Sequence, residues 1–163
     1  MSHLAGEMFN GMANVRLTHI PYKGGAAALI DNIAGHVPVN FAGITPSLPH
    51  IHAGKLRALA VTGKTRSKQL PETPTVAATR GLENYEATNT FATWAPAKTP
   101  HDIIVRLHGA MVGVIQTADF RQRLEREGAS DPIGNTPEQM AATLRTDMAK
   151  LTKLVRTAGV APQ

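Results

Sequence analysis

Val15–Gly35 reads VRLTHIPYKGGAAALIDNIAG, and this stretch decides how the chain is organised. Its first half alternates: Val15, Leu17 and, less strictly, Ile20 fall on one side of an extended chain, and Pro21 closes the run. Pro21-Tyr22-Lys23-Gly24-Gly25 follows, then an alanine-rich run carrying Leu29, Ile30 and Ile33. The order is strand, glycine loop, helix. The two glycines let the backbone turn sharply and come close to a ligand. The first amides of the helix have no intrahelical partner, and the helix dipole favours negative charge there. Lys23 adds a cation at the same place. Such a turn suits a carboxylate or a phosphate. The same residues would also serve a plain chain reversal with a solvated lysine, so the neighbouring sequence has to decide between the two.

Working outward, Ser2 to about Asn10 reads as a helix, with Ser2 as its N-cap and Leu4, Met8 and Met12 on one face. Val37–Phe41 (VPVNF) reads as a short strand, and Pro38 marks it as an edge or a strand start. Ala42-Gly43-Ile44 is a second strand-to-helix turn, and Thr45-Pro46 opens a short helix through His52 that Gly54 closes. Lys55–Thr62 (KLRALAVT) is the strongest strand, with apolar residues on both faces at its end, as expected of a strand covered on two sides. Gly63–Pro74 is a polar loop, and a small helix spans Val76–Thr79 up to Gly81. Tyr85–Ala95 (YEATNTFATWA), rich in Thr and aromatics, reads as a long extended segment.

From Thr99 the character changes to helix. Thr99 caps, Pro100 takes the first helical position, and Asp102 suits the first turn. Ile103, Ile104, Leu107, Met111, Val114 and Ile115 form the apolar stripe. Ala118–Glu127 is a short charged helix ending at Gly128. Thr136-Pro137-Glu138-Gln139 is a capping box that opens the last helix, with Met140, Leu144, Met148, Leu151 and Val155 on one side and Gly159 at its end. Alternating helix and strand predicts an α/β layer with a mostly parallel sheet, followed by helices whose stripes need a further surface to cover.

The totals narrow the function. A chain of 163 residues has room for one domain or two small lobes. Its formal charge is +5, but the densest basic set, Lys55, Arg57, Lys64, Arg66 and Lys68, has no aromatics interleaved. That favours a solvated basic surface, attractive to anions, over a nucleic-acid interface. The chain has no cysteine, which removes disulfides, thiolate metal sites and a Cys nucleophile. No apolar run approaches the roughly 20 residues of a membrane span. Met1-Ser2-His3-Leu4 does not open a basic-then-apolar leader, so no signal peptide is expected within these residues.

Catalytic and metal constellations are weak. His50 and His52 lie two apart, do not face one another on a helix, and have no acidic neighbour between Asp31 and Glu72. His3, His19, His36, His101 and His108 are scattered. No G-x-S-x-G elbow, G-x-G-x-x-G or Walker pattern occurs, and Glu125 and Glu127 sit on a charged helix. No enzyme, cofactor or metal is therefore expected. What remains is a set of turns at Ser2, at Tyr22–Gly25 and at Ala42–Thr45, which an open α/β sheet would place along its ligand-binding edge.

Several segments in series then carry a family resemblance: His3-Leu4-Ala5-Gly6-Glu7, Pro21-Tyr22-Lys23-Gly24, Leu48-Pro49-His50-Ile51, Gly54-Lys55-Leu56-Arg57-Ala58-Leu59-Ala60-Val61-Thr62, Pro74-Thr75-Val76-Ala77, and Ala95-Pro96-Ala97 with Thr99-Pro100. Over essentially its whole length the chain resembles the receptor proteins of tripartite tricarboxylate transporters, the Bug-type periplasmic solute-binding proteins. The resemblance implies a periplasmic-binding-protein-like (type II) fold of two α/β lobes around a cleft that binds a small carboxylate. It implies that 1–84 is most of the second lobe, 85–98 the hinge or return crossing, and 99–163 helices of the first lobe. The first lobe's own strands, the strand before Ser2 and the signal peptide are then expected outside this sequence. By position it implies ligand contacts at Ser2, Tyr22, Lys23, Gly24 and Gly43, a periplasmic location and membrane components of a transporter as partners. The glycines that precede the serine in relatives are absent, and Ala42 stands where relatives often carry Asp. Two other readings remain at this stage. One is a truncated product that self-associates through the stripe Ile103, Leu107, Met111 and Val114. The other is a basic α/β enzyme or nucleic-acid-binding module.

Overall fold

A computed structural model describes residues 1–126 and 132–158. Its elements are α1 (Ser2–Ala13), α2 (Gly25–Ile33), α3 (Ile44–His52), a 3-10 turn (Val76–Ala78), α4 (His101–Ile115), α5 (Ala118–Arg126) and α6 (Pro137–Ala158). Each expected helix is present, and the expected ends at Glu127–Gly128 and Gly159 lie outside the described residues. Three starts move by a residue or two. Met1 rather than Ser2 caps α1, Gly43 rather than Thr45 caps α3, and Pro100 rather than Thr99 caps α4, none with a side-chain bond. The capping box at α6 forms as expected: Gln139 N–H donates to Thr136 Oγ1 (3.2 Å) and Thr136 N–H to Gln139 Oε1 (2.9 Å).

The strands expected at 15–20, 37–41, 55–62 and 85–95 do not pair into a sheet. Among the described residues the β pairing is one isolated parallel bridge between Val61 and Thr75. Val61 N–H donates to the Pro74 carbonyl (2.8 Å), Val76 N–H to the Val61 carbonyl (2.9 Å), and Ala87 N–H to the Thr62 carbonyl (2.9 Å). Among the described residues the expected sheet is therefore not formed, and helices are joined by segments without a ladder. Alternating side chains make a segment eligible for a ladder, but the ladder needs a neighbouring strand to exchange bonds with. Leu17 illustrates the shortfall. Its N–H donates to Asn10 Oδ1 (2.8 Å) and its carbonyl accepts from Asn10 Nδ2 (3.2 Å), so a side chain of α1 takes the groups that a strand would use. Val15, Leu17, Ile20, Val39 and Leu59 accordingly stay exposed.

The chain divides into two compact units, Met1–Asn89 with Leu154–Gln163, and Thr90–Lys153. The core of the first is Val76, Leu82 and Tyr85, packed by Met8, Phe9, Met12, Ala13, Phe41 and Ala87. Tyr85 is its centre at 1% exposure, and its hydroxyl donates to the Ala5 carbonyl of α1 at 2.9 Å, across 80 residues of sequence. Phe9 meets Tyr85 edge-on with centroids 6.3 Å apart and Phe41 at 6.0 Å. With few aromatics available, these three do much of the core filling. Burial of Tyr85 pushes its phenol up to about 12.

The second unit is built differently. None of its described residues is buried. On α4, Ile104, His108, Val112 and Ile115 are half-buried; His108 meets the Asn135 carbonyl at 3.0 Å, and a Cβ at Gly134 would stand 3.2 Å from Ile115. The adjacent stripe of Ile103, Leu107, Met111 and Val114 is exposed. The helix is therefore apolar over an arc wider than its own unit covers.

Candidate functional site

The glycine loop is shaped by its backbone. Gly24 caps α2 at φ 156°, ψ 161°, a region that side chains rarely enter, although nothing stands within 4 Å of where its Cβ would be. The glycine is required for its torsion and not for space. α2 begins at Gly25 with no side-chain cap and no acid in its first turn, and the Ala28 N–H reaches the Gly24 carbonyl only at 3.5 Å. The amides ahead of it have no partner within the helix. Lys23 is exposed and makes no ion pair among the described residues.

Tyr22 is tethered to α2. Its hydroxyl donates to Asp31 Oδ2 at 2.7 Å. A phenol has one proton, and here Asp31 takes it. His36 Nδ1 lies 3.5 Å from the other Asp31 oxygen, and the Asp31 main-chain carbonyl accepts from the His36 and Val37 amides at 2.9 and 3.4 Å. The Tyr22 bond, and after it His36, holds the Asp31 carboxyl below its ordinary range against partial desolvation. The same bond pushes the Tyr22 phenol up. Asp31 escaped the sequence reading because its only mark there is its place on α2, nine residues after Tyr22.

Gly43 caps α3 with an ordinary extended φ of −65°, and Ser47 Oγ donates to its carbonyl at 2.9 Å. Asn40, just before this turn, has a buried Nδ2 that finds no acceptor among the described residues. Ser2 is exposed as the first residue of α1. Two contacts tie these starts to α1. The His3 and His19 rings stack at 3.7 Å, joining the first turn of α1 to the segment that enters the glycine loop. Phe41 lies 3.6 Å from the Cβ position of Gly6, joining α1 to the segment that enters α3. Among the described residues, Ser2, Lys23 and Gly43 share no hydrogen bond or ion pair with one another.

The electrostatics of the helix starts fall into two groups. α1, α2 and α3 have neither an acid in the first turn nor a side-chain cap. α4, α5 and α6 carry Asp102, Asp119 and Glu138 there, and Thr117 and Thr136 bond back to the amides of α5 and α6. An acid or a cap satisfies a helix start internally, whereas a bare start keeps its partial positive charge for an outside anion. The first unit therefore presents three starts with neither an acid nor a side-chain cap.

Two other features fit this chemistry poorly. His3, Glu7 and His19 come together, with His3 3.7 Å from Glu7, but the stacked rings are parallel within 3°. Their lone pairs lie in parallel planes and do not converge on one ion. No trio able to hold a metal forms among the described residues. A shallow recess of about 300 Å³ is lined by Lys64, Ala77, Glu83, Asn84, Tyr85 and Glu86. Lys64 is engaged by Glu86 at 3.3 Å, so the recess has no cation to spare for an acid.

Residues 1–160 match the model of the tripartite tricarboxylate transporter family receptor. The chain is 33% identical over 153 residues to the UPF0065 protein in the tcbD-tcbE intergenic region of Pseudomonas sp. (strain P51), covering 94% of this chain and 45% of that protein. It superposes on R. palustris Rpa4515, solved with adipate, with a TM-score of 0.89 and 33% identity over 99% of this chain and 54% of that one. The periplasmic binding protein BugD gives 0.81 at 29% identity, covering 99% and 54%. MatC (Rpa3494) from Rhodopseudomonas palustris, solved with malate, gives 0.73 at 25% identity, covering 95% and 53%. The chain spans about half the length of these relatives. With the family model matched over residues 1–160, the chain belongs to the tripartite tricarboxylate transporter receptor family.

Proposed function

We propose that this chain forms part of a periplasmic solute-binding receptor that holds a small carboxylate and hands it to the membrane components of a tripartite tricarboxylate-type transporter. One observation carries the reading: the starts of α1, α2 and α3 are free of acids and caps while those of α4, α5 and α6 carry acids. On this reading the amides around Ser2, Gly24 and Gly43 and the ammonium of Lys23 form one wall of a ligand cleft. Tyr22 belongs to the same wall, with its hydroxyl proton engaged by Asp31. Residues 1–84 serve as the second lobe, 85–98 as the crossing, and 99–163 as helices of the first lobe. Binding draws on preorganised amides and needs no bond making or breaking, so no catalytic residue is assigned. The adipate and malate held by the two R. palustris relatives support a dicarboxylate as the ligand class.

The test is thermal unfolding of the chain with adipate, malate, a tricarboxylate and, as control, an amine of similar size. At least one acid raises the melting temperature and the amine does not. Lys23→Ala weakens that acid by about tenfold, the scale of one charge-assisted hydrogen bond, and leaves the unliganded melting temperature unchanged. A flat response to every acid removes the reading.

A second reading rests on the second unit, where no described residue is buried and the α4 stripe of Ile103, Leu107, Met111 and Val114 is exposed. A truncated product of this kind would self-associate through that stripe and bind no acid. Light scattering then gives a mass that rises with concentration, alongside a flat acid panel.

A further inference from the structure

The glycine loop is under-restrained by its own main chain. Among the described residues, no backbone–backbone hydrogen bond holds positions 18–23, and the two glycines that follow add conformational freedom. A loop in that state samples many shapes, and amides that point at a ligand only part of the time bind it weakly. The His3–His19 stack holds the segment that enters it, and among the described residues one side-chain hydrogen bond ties down the loop itself, the 2.7 Å bond from the Tyr22 hydroxyl to Asp31 on α2. Asp31 also gathers the chain that leaves α2. His36 approaches its second carboxylate oxygen at 3.5 Å, and its main-chain carbonyl takes the His36 and Val37 amides. Asn32 Nδ2 secures the Val37 carbonyl at 2.7 Å. The segment so held, from Val37 onward, runs into the Gly43 turn.

We infer that Asp31 is the positioning residue of the glycine loop: through the Tyr22 hydroxyl it fixes Tyr22–Gly25 on α2, and through His36 and Val37 it links that loop to the approach to Gly43. Its relevance to ligand binding rests on the carboxylate reading above; its effect on the loop does not. Asp31 spends its charge on Tyr22 and His36, which is why an acid is tolerated on the helix whose start is to hold an anion. Tyr22 then faces any ligand with lone pairs only, and the loop's donors are the amides and Lys23.

The test is backbone amide relaxation by NMR on the full chain, with the order parameters of Gly24, Gly25 and Ala26 read against those of Leu48, His50 and Ile51 of α3 as reference. Tyr22→Phe and Asp31→Ala each lower the loop order parameters from about 0.85 toward about 0.6, as expected when a rigid segment loses a local tether. The double variant is no lower than Asp31→Ala alone, because both remove the same bond. Asp31→Asn keeps an acceptor oxygen and falls between wild type and Asp31→Ala. The α3 amides do not move. With only Tyr22 and Tyr85 in the chain, near-ultraviolet titration adds a second readout: in Asp31→Ala the Tyr22 phenol titrates at lower pH than in wild type. Loop amides unmoved in Tyr22→Phe, or strictly additive effects in the double variant, overturn the inference. If Asp31→Ala does not fold, Tyr22→Phe and Asp31→Asn decide it. Where adipate binds, both single variants weaken it by the same factor. Where no acid of the panel binds, the carboxylate reading fails while the order parameters still judge Asp31.

Discussion

Tyr85→Phe is the sharpest probe of how the first unit is held together. The substitution keeps the ring, and with it the contacts to Phe9 and the Val76–Leu82 core, and removes only the hydroxyl that donates to the Ala5 carbonyl at 2.9 Å. The helix ladder of α1 uses the other lone pair of that carbonyl, so it is not left wholly unpaired. The expected loss is about 1 kcal/mol near neutral pH, the net worth of one buried hydrogen bond. The pH dependence makes the test specific. The phenol of Tyr85 is pushed up from 10.0 to about 12 by burial. A proton held more tightly in the folded state gives stability that is complete below the unfolded pKa and is lost as pH rises through the folded one. At about pH 11 ionisation of Tyr85 costs the wild type at most about 1.4 kcal/mol, or about 0.7 after allowing for solvent screening, a loss that Tyr85→Phe does not incur. Other titrating groups are common to both proteins and cancel in the difference. Urea unfolding followed by circular dichroism measures it. Near neutral pH the variant's midpoint falls by about 0.5–1 M, taking a urea slope of about 1–2 kcal/mol per M. The gap narrows above about pH 10 and closes between about pH 11 and 12. A gap that stays constant across that range would refute the idea that a buried, protonated Tyr85 clamps α1.

Three further substitutions test the helix starts. Gly24→Ala destabilises by about 1–3 kcal/mol through backbone strain alone, whereas Gly25→Ala, one residue later and with open space around its Cβ position, is neutral or stabilising by up to about 1 kcal/mol; equal effects at both would mean that the Gly24 torsion is not needed. Thr136→Ala breaks the capping box of α6 and costs about 0.5–2 kcal/mol, seen as lost helical signal on mild heating; an unchanged melting curve would show that the Gln139–Thr136 bonds contribute nothing.

The helices were legible in the sequence and the strands were not, for one reason. A helix closes its bonds within four residues, so the stripe, the Thr-Pro starts and the glycine stops carry nearly all the information needed. Ile103, Leu107, Met111 and Val114 read as α4 whether or not anything covers them. A strand needs a partner that its own residues do not name. Lys55–Thr62 alternates as a strand should, yet among the described residues only Val61 finds a bridge, to Thr75. The site was legible to the same degree. Gly24 and Lys23 could be read locally, because a torsion and a charge are local properties. The Tyr22–Asp31 bond could not, because which face of α2 meets the loop depends on packing.

One property of the site was available from the sequence without any folding argument. Placing the six helix starts in order, the first three are Ser2-His3-Leu4, Gly25-Ala26-Ala27 and Ile44-Thr45-Pro46, while the last three include Asp102, Asp119 and Glu138. If acids at helix starts served stability alone, every start would gain from one, and by comparable amounts. Their absence from three starts in one unit therefore forgoes stabilisation that an acid or a cap would supply. The cost makes physical sense where the bare amides meet an anion from outside, and where an internal carboxylate would compete with it. Introducing an N-terminal acid separates these accounts. Ala26→Glu in the first turn of α2 raises the melting temperature of the unliganded chain, because it complements the dipole, and abolishes the rise produced by any dicarboxylate, because it occupies or repels the same amides. An unliganded melting temperature that rises with ligand response intact would place the anion elsewhere, and the three bare starts would then need another explanation.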